Sequence, residues 1–219
     1  MGNPAEFVML QCENPDCRFR CPSNLSTSSL AACPLCGRPV HAVSQPFINA
    51  KTLKSVPESA QPPLHILLDN LRSTLNVGSI FRTADGAGVT QIHLCGTTPT
   101  PDHPKIAKTG LGAEGTMMWD YHPNGLDFVM ESKRNGFFVI VLEASGFSRS
   151  IFTAPESNIA QDQPVLLVVG NEVSGVDPLI LDAADLVLAI PMHGSKSSLN
   201  VAVAFGIAVY TIQEFYFGR

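Results

Sequence analysis

The chain has 219 residues, which is enough for one ordinary domain and a small module. Apolar residues make up 45% of it and charged residues 15%, so disorder is excluded and a sizeable core can form. The formal net charge is −5: positions 1–60 carry five Lys/Arg against four Asp/Glu, and positions 61–219 carry nine against fifteen. This balance disfavours a generally basic nucleic-acid-binding protein, so an RNA or DNA partner would need a local patch, the N-terminal piece or an oligomer.

Two features of the sequence bear on its location. The longest uncharged apolar run, Leu199 to Ile212, is shorter than the roughly 20 residues that a membrane-spanning helix needs. The N-terminus lacks a basic region followed by an apolar stretch, so we expect no secretory signal. These features predict a cytoplasmic protein with no membrane partner.

Five of the six cysteines lie within the first 36 residues. The spacing Cys-x4-Cys, followed by Cys-x2-Cys-Gly, puts two thiols on each of two turns, which suits a tetrahedral zinc ion. The expected ligands of this structural zinc are Cys12, Cys17, Cys33 and Cys36. Cys21 could replace one of the first pair. A disulfide framework is the alternative, but it needs an oxidising compartment that nothing in the sequence indicates.

The region that follows the cysteines contains four prolines and has no helical or strand period. The predicted organisation is therefore a zinc-ribbon-like module at 1–40, a linker at 41–63 and a main domain at 64–219. In the module, Arg18, Phe19, Arg20 and Arg38 combine cations with an aromatic ring and could hold phosphate and stack a base. A purely structural or protein-docking module is the alternative.

In the main domain, apolar strands alternate with helices. The predicted strands are Leu64–Leu68, Gln91–Cys95, Met117–Tyr121, Phe137–Leu142, Val165–Val169 and Leu186–Ile190. The predicted helices run through Ile80 to Ala84, over Gly125–Asn135 and over about Ser198–Phe215. This alternation indicates an α/β fold with a mainly parallel sheet. On the first strand, His65 is expected to be a core histidine with a hydrogen-bond partner.

The last predicted helix is apolar on nearly all sides between Leu199 and Ile212. Such a helix is either buried within its own domain or shared with a second subunit. Because a domain of this size rarely surrounds a helix completely, we favour a homodimer formed through this helix.

Three strand ends are polar and rich in glycine, and carboxyl ends of parallel strands are where α/β sheets bind ligands. These loops are Asp69–Arg82, Gly170–Val176 and Ile190–Asn200. A further stretch, Gly110 to Gly115, fits G-x-G-x-x-G, but no buried strand precedes it. A dinucleotide site is therefore not expected there.

Taken together, the three loops resemble motifs 1, 2 and 3 of the SpoU (TrmH) family of RNA 2′-O-ribose methyltransferases, in the SPOUT superfamily. The matching patterns are Asn76-x-Gly78-x3-Arg82, Gly170-Asn171-Glu172-x2-Gly175, and Ile190-Pro191-Met192 with Ser197-Ser198-Leu199-Asn200-Val201. The resemblance covers Leu64 to Tyr210. It implies a C-terminal trefoil knot, S-adenosylmethionine as methyl donor, tRNA or rRNA as substrate, and a homodimer that completes the site.

The resemblance also implies roles for individual residues. The implied catalytic residues are Asn76, Arg82, Glu172 and Asn200. The implied cofactor pocket consists of Gly170, Ile190, Met192, Ser198 and Leu199, with Leu94 and Gly96 nearby. A guanidinium is always protonated, so we expect Arg82 to hold an RNA phosphate or lower the pKa of the hydroxyl rather than act as a simple base.

Each of these polar residues also has a structural interpretation. Arg82 could pair with Asp69 or Asp85, Glu172 could sit at a helix N-terminus, and Asn200 could cap a helix. At the level of function, the alternatives are a non-catalytic zinc-containing RNA- or protein-binding protein that keeps the knotted fold, and methylation of a base instead of the ribose.

Overall fold

The computed structural model describes residues 5–27, 30–48, 62–153, 159–160 and 162–217. The chain divides into two compact units, Met1–Pro57 and Glu58–Arg219. The division falls within the predicted linker at 41–63, of which residues 49–61 lie outside the described part of the chain.

The first unit contains a four-stranded antiparallel sheet. Its strands are β1 (Glu6–Cys12), β2 (Arg20–Asn24), β3 (Val40–Ala42) and β4 (Phe47–Ile48). Strand β1 pairs with the other three and buries alternate side chains, Val8, Leu10 and Cys12. The predicted end of the module at Val40 therefore cuts through this sheet, which extends to Ile48. Strands of three and two residues are too short to show the alternation of apolar and polar residues by which a strand is predicted.

The second unit is built on a seven-stranded sheet in which every adjacent pair is parallel. Its strands are β5 (Leu64–Asp69), β6 (Gln91–Cys95), β7 (Trp119–His122), β8 (Phe138–Leu142), β9 (Arg149–Ser150), β10 (Val165–Val169) and β11 (Leu186–Ala189). Their order across the sheet is β7-β6-β5-β10-β8-β11-β9. The predicted α/β fold with a parallel sheet is confirmed.

Six α-helices and a final π-helical turn complete the described part of this unit. They are α1 (Thr74–Gly86), α2 (Ala107–Gly110), α3 (Ala113–Thr116), α4 (Gly125–Arg134), α5 (Pro178–Ala183), α6 (Val201–Ile212) and the π turn Gln213–Phe217. Gly110 ends the short helix α2 and Gly112 directly precedes α3, and no strand of the described chain leads into them, so this G-x-G-x-x-G stretch lacks the strand that a dinucleotide fingerprint requires.

The sheet has a hydrophobic layer on each face. On one face, Phe81 of α1 and Phe205 of α6 pack against Ile66, Leu68 and their neighbours. On the other face, Val129 of α4 and Ile180 of α5 pack against strand residues such as Leu67. All five residues of β10 are buried because layers cover the strand on both sides, which explains its uninterrupted apolar sequence.

Helix α6 begins at Val201, not at the predicted Ser198, because the Asn200 side chain accepts hydrogen bonds from the N–H groups of Ala202 and Val203. The helix buries Phe205 but leaves Val203 52% exposed and Tyr210 53% exposed. Its own domain therefore covers only part of its apolar surface. Among the described helices, none is long and apolar enough to cross a membrane.

The prediction for His65 also has a clear outcome. The ring is half-buried, and its Nδ1 lies 3.0 Å from Nε2 of His93 on β6. His65 thus has the hydrogen-bond partner that a core histidine requires.

Candidate active site

A cavity of about 450 Å³ lies where β8, β10 and β11 end and α6 begins. This is the carboxyl edge of the sheet, as expected for an open α/β fold. The lining residues are Asn76, Leu142, Glu143, Ala144, Val169, Gly170, Asn171, Glu172, Val173, Gly175, Ala189, Ile190, Met192, Ser197, Ser198, Leu199, Asn200, Val201 and Ala204. The volume and the mixed apolar and polar lining suit one small organic ligand.

A chain of hydrogen bonds joins the three predicted loops at this cavity. The Asn76 side chain donates from Nδ2 to Oε1 of Glu172 at 2.9 Å, and its Oδ1 accepts from Nδ2 of Asn200 at 3.0 Å. Asn200 in turn caps α6. The structural and functional interpretations of Asn200 therefore hold together, since one side chain both caps the helix and lines the cavity.

Glu172 lies at the N-terminus of α1. Its carboxylate accepts hydrogen bonds from the N–H groups of Arg72 at 2.9 Å and Ser73 at 3.1 Å. Partial burial disfavours the ionised carboxylate. The backbone N–H groups of Arg72 and Ser73 and the side-chain amide of Asn76 outweigh this effect and hold the pKa of Glu172 below its ordinary value. Glu172 is therefore an ionised carboxylate at neutral pH and a weak base, suited to fixing the loops.

The loop after β10 is shaped around Gly170. A Cβ atom at this position would lie 2.4 Å from the backbone nitrogen of Val176, so only glycine fits. Asn171 and Gly175 form a backbone bridge across the loop, and Gly175 has φ of +76°. The Glu143 carboxylate, after β8, accepts a hydrogen bond from the N–H of Val176 at 3.1 Å. The loop is thus held from both of its ends.

Hydrogen bonds between the end of β5 and the segment that follows β10 fix the position of Asn171, which lines the cavity. The Asn171 side chain donates to the carbonyl of Asn70 at 2.6 Å, and Asn70 itself adopts φ of +57°. The buried carboxylate of Asp69 accepts from the N–H of Asp177 at 3.0 Å. The end of β5 and the segment that follows β10 are therefore joined directly by polar contacts, in which the Asp69 carboxylate is the buried group.

Eight of the predicted site residues line the cavity together. They are Asn76, Gly170, Glu172, Ile190, Met192, Ser198, Leu199 and Asn200. The structure does not bring Arg82, Leu94 or Gly96 to it. Leu94 is fully buried within β6. Gly96 has φ of +58° and packs closely against Asn70, so neither residue lines the cavity.

Arg82 is exposed on α1, one turn before Gly86. Within the described residues it forms no salt bridge, so neither Asp69 nor Asp85 pairs with it. Asn76 faces the cavity from the first turn of α1, whereas Arg82 lies six positions later on another face of the helix. One chain alone therefore leaves the predicted arginine outside the site.

Sequence reasoning missed several lining residues. Leu142, Glu143 and Ala144 stand where β8 ends, and Asn171 follows Gly170. The rule that sites form at carboxyl strand ends would have found Glu143, because it follows directly after a strongly apolar predicted strand.

The four predicted zinc ligands converge in the first unit. The Sγ atoms of Cys12 and Cys36 lie 3.4 Å apart, those of Cys17 and Cys33 lie 3.7 Å apart, and all four lie within 4.8 Å of one another. Sulfur atoms bound tetrahedrally at about 2.3 Å from zinc would be about 3.8 Å apart. Cys21 lies on β2 and is not part of this group.

Backbone amides stabilise negative charge on these sulfur atoms. The N–H of Arg38 lowers the pKa of Cys36 to about 7, against the opposing effect of burial. The Cys12 thiol is 2% exposed, and its burial raises its pKa to about 12 although the N–H of Asn14 acts in the opposite direction. A bound divalent cation would supply the positive charge that keeps all four sulfur atoms in the thiolate form.

Comparison with known proteins identifies the family. The model of the SpoU rRNA Methylase family matches residues 63–210. The chain belongs to the SpoU family. The predicted family is thereby confirmed, and the matched region lies within the second unit and ends two residues before the end of α6.

Named relatives and solved structures of the SpoU family share this region. The chain is 34% identical over 168 residues to tRNA (guanosine(18)-2′-O)-methyltransferase of Aquifex aeolicus, with 75% of each protein covered. It is 32% identical over 153 residues to 23S rRNA (guanosine(2553)-2′-O)-methyltransferase RlmP of Bacillus subtilis, covering 68% of this chain and 57% of that protein.

Solved structures agree in fold. The AdoMet-bound rRNA methyltransferase from Sinorhizobium meliloti has a TM-score of 0.63 at 29% identity and covers 70% of this chain and 57% of its own. The TrmH/SpoU tRNA modifying enzyme of A. aeolicus has a TM-score of 0.62 at 31% identity, with 72% and 77% covered. This chain thus spans little more than half of some of its relatives.

Proposed function

We propose that this SpoU protein transfers a methyl group from S-adenosylmethionine to a ribose 2′-hydroxyl in tRNA or rRNA. The observation that carries the proposal is the cavity at the carboxyl edge of the sheet, where Asn76, Glu172 and Asn200 form one hydrogen-bond chain. The names of the A. aeolicus and B. subtilis relatives support the same activity.

The lining residues fit S-adenosylmethionine, which supplies a methyl group on a sulfonium. Gly170 leaves the room that a side chain would fill, while Ile190, Met192 and Leu199 offer apolar surface for the adenine and the thioether arm. In the described part of the chain, the side-chain nitrogens Nδ2 of Asn76 and Asn200 each donate one hydrogen bond. Each therefore retains one N–H for a ligand oxygen.

Methyl transfer from a sulfonium is an in-line displacement, so positioning supplies much of the rate. Glu172 stays ionised and holds the start of α1 against the loop after β10. Its role in this proposal is to keep the Asn76 amide oriented, and no proton transfer is assigned to it. The nucleophile needs a neighbour that favours loss of its proton, and Arg82 is the candidate from motif 1.

A homodimer would bring Arg82 to the cavity. Arg82 lies next to the seam where α6 crosses α1: the Tyr210 hydroxyl approaches Gly86, and Gly206 lies beside Thr83. The exposed Val203 and Tyr210 form an apolar surface along this seam. A second copy docked here would cover both side chains and place its own Arg82 at the interface.

The first unit is proposed to bind zinc through Cys12, Cys17, Cys33 and Cys36, and to help capture RNA. Arg18, Arg20 and Arg38 are all exposed. They supply positive charge that residues 61–219, with nine Lys/Arg against fifteen Asp/Glu, lack. Cys33→Ser is expected to lower bound zinc by about one equivalent and unfold this unit, whereas Cys21→Ser keeps the metal. Equal zinc in the two variants would contradict the assignment.

The trefoil knot and a cytoplasmic location complete the proposal. Both rest on the family resemblance and on the sequence.

The decisive experiment is calorimetric titration of the purified chain with S-adenosylmethionine, with NADH as a control. Saturable binding of S-adenosylmethionine alone is expected. Absence of binding by a folded, zinc-loaded dimer would favour a non-catalytic RNA- or protein-binding protein. Transfer of labelled methyl groups to total tRNA and rRNA, followed by nucleoside analysis, then separates ribose from base methylation.

A further inference from the structure

A second group of metal-ligating side chains lies away from the cavity, on strands β6 and β7. Nδ1 of His93 lies 2.5 Å from Oδ1 of Asp120 and 3.3 Å from Nε2 of His122. Nε2 of His122 lies 3.1 Å from Oδ1 of Asp120. Three ligand atoms therefore converge on one point.

The backbone fixes this arrangement. Strands β6 and β7 are parallel, with His93 opposite Asp120 and Cys95 opposite His122. Asp120 and His122 are two residues apart on one strand, so both point to the face of the sheet that bears His93. Phe128 of α4 packs against both rings, at 4.2 Å from His93 and 4.1 Å from His122 between ring centroids. The ligand positions are thus built on strands, not on loops.

From this geometry we propose that His93, Asp120 and His122 bind a zinc ion. Ligand atoms at about 2.0–2.1 Å from a tetrahedral zinc lie about 3.3 Å apart, which matches two of the three separations. The third, between His93 and Asp120, opens when the metal replaces the proton that these two groups share. Two imidazoles and one carboxylate are ligands that zinc prefers.

Neighbouring side chains support the ligands as they do in known zinc sites. Gln91 donates from Nε2 to Oδ2 of Asp120 at 3.2 Å, which fixes the carboxylate. Nε2 of His93, the nitrogen that would not bind metal, lies 3.0 Å from Nδ1 of His65. With zinc on Nδ1, His93 carries its proton on Nε2 and donates it to His65, which orients the ring.

The site is open on one side. His93 is 5% exposed at its side chain, His122 26% and Asp120 41%. Water or an exogenous ligand can therefore take a fourth position on the zinc. None of these residues lines the cavity at the end of β10, so the zinc site does not depend on the methyltransferase proposal. Because its ligands lie on two neighbouring strands, the zinc would hold the edge strand β7 against β6.

Metal content of the full chain tests the proposal. After dialysis against a weak chelator, the wild type is expected to hold about one zinc more than His122→Gln or Asp120→Asn, and His193→Gln serves as a histidine control. The result is the difference in zinc content between the wild type and each variant, so zinc bound at the cysteine site cancels. Equal zinc in the wild type and His122→Gln would overturn the proposal.

Three further measurements separate metal binding from folding. In the Cys33→Ser background, added zinc should raise the melting temperature of the second unit, and the additional change His122→Gln should abolish that rise. In the cobalt-substituted chain, His122→Gln should remove only the visible ligand-field absorption of the His93–Asp120–His122 site, without changing the thiolate-to-cobalt charge-transfer band. His65→Phe should weaken zinc binding about 10- to 100-fold. No rise in melting temperature with zinc would contradict the site.

Discussion

At the scale of single residues, the cavity depends on the absence of a side chain at one position. Gly170 directly follows the central strand β10, and the loop folds back so closely that the space for a Cβ is already taken by Val176. The sequence pattern Gly-Asn-Glu-x2-Gly indicated a tight polar loop, but it could not reveal which atom would occupy that space. Only the fold places Val176 there.

Replacing Gly170 with Ala is therefore expected to displace the loop and weaken S-adenosylmethionine binding about tenfold or more, since overpacking costs about 1–3 kcal/mol. Calorimetry measures the change. Gly146→Ala is the matched control, because a Cβ atom at that position would have no neighbour within 4 Å. Unchanged affinity in Gly170→Ala would mean that the loop yields freely or that the ligand binds elsewhere.

The second prediction at this scale concerns the charge of Glu172. Its carboxylate has a lowered pKa, so its stabilising effect is present above the ordinary value of about 4.3 and is lost as the pH falls through the lowered pKa. Glu172→Gln keeps the shape but lacks the charge. We expect it to unfold with about 1 kcal/mol less free energy at neutral pH, a small value because the group is exposed.

Urea unfolding at several pH values measures this difference. It should stay constant from about pH 8 to pH 5 and shrink at lower pH, as the wild-type carboxylate becomes protonated. A difference that persists unchanged in acid would show that the charge of Glu172 does not stabilise the loops.

At the scale of elements, the sequence predicted most strands of the main domain well. The runs Gln91–Cys95 and Val165–Val169 match their strands residue for residue, because each is a largely buried apolar run that ends at a glycine. The short elements β3, β4, β9, α2, α3 and α5 were not predicted, since two to six residues carry too little periodicity. Their positions depend on contacts distant in sequence.

Helix α6 yields the prediction that belongs to this scale, because its cap is also part of the site. Asn200→Asp keeps an oxygen to cap the helix but removes the amide that donates to Asn76. Its stability should stay near that of the wild type, whereas methyl transfer should fall at least tenfold. Asn200→Ala should lose both, with about 1 kcal/mol of stability.

Thermal unfolding and a single-turnover methyl-transfer assay together measure these effects. If Asn200→Asp and the wild type transfer methyl groups at the same rate, the link between Asn76 and Asn200 serves only the fold.

At the scale of the whole molecule, the sequence identified the site's loops but not how they assemble. Eight predicted residues meet at one cavity because only β8 separates β10 from β11 in the sheet, so the loops that follow these parallel strands lie at the same edge. Arg82 stayed outside because the face that a helical residue occupies depends on how the helix packs. A single chain also carries no information on what covers the seam between α1 and α6.

A complementation experiment tests whether a second copy supplies Arg82. At a low concentration of S-adenosylmethionine, Arg82→Ala and Gly170→Ala chains are each expected to be nearly inactive alone, because one lacks the arginine and the other binds the cofactor too weakly. Co-refolded in equal amounts, they should regain roughly a quarter of the wild-type rate, since half of the dimers are mixed and each has one complete site. No recovery would place Arg82 in its own chain's reaction.

The dimer itself is tested by charge at its proposed surface. Val203→Asp should dissociate it, whereas Leu179→Asp, an equally exposed apolar position on α5, should not. Sedimentation velocity distinguishes the two. A wild-type chain that sediments as a monomer at assay concentration would remove the basis for both experiments.

The bond between Asn76 and Asn200 joins positions 124 residues apart. During synthesis, the ribosome must therefore add the whole of that interval after Asn76 before the cavity can close. At about 5–20 residues per second, this takes about 6–25 s. Throughout that time the strands β6 to β11 are added without a finished site, so binding of the cofactor cannot stabilise a nascent SpoU chain until α6 has been made. Premature termination before α6 would leave a chain with most of its sheet but no catalytic function.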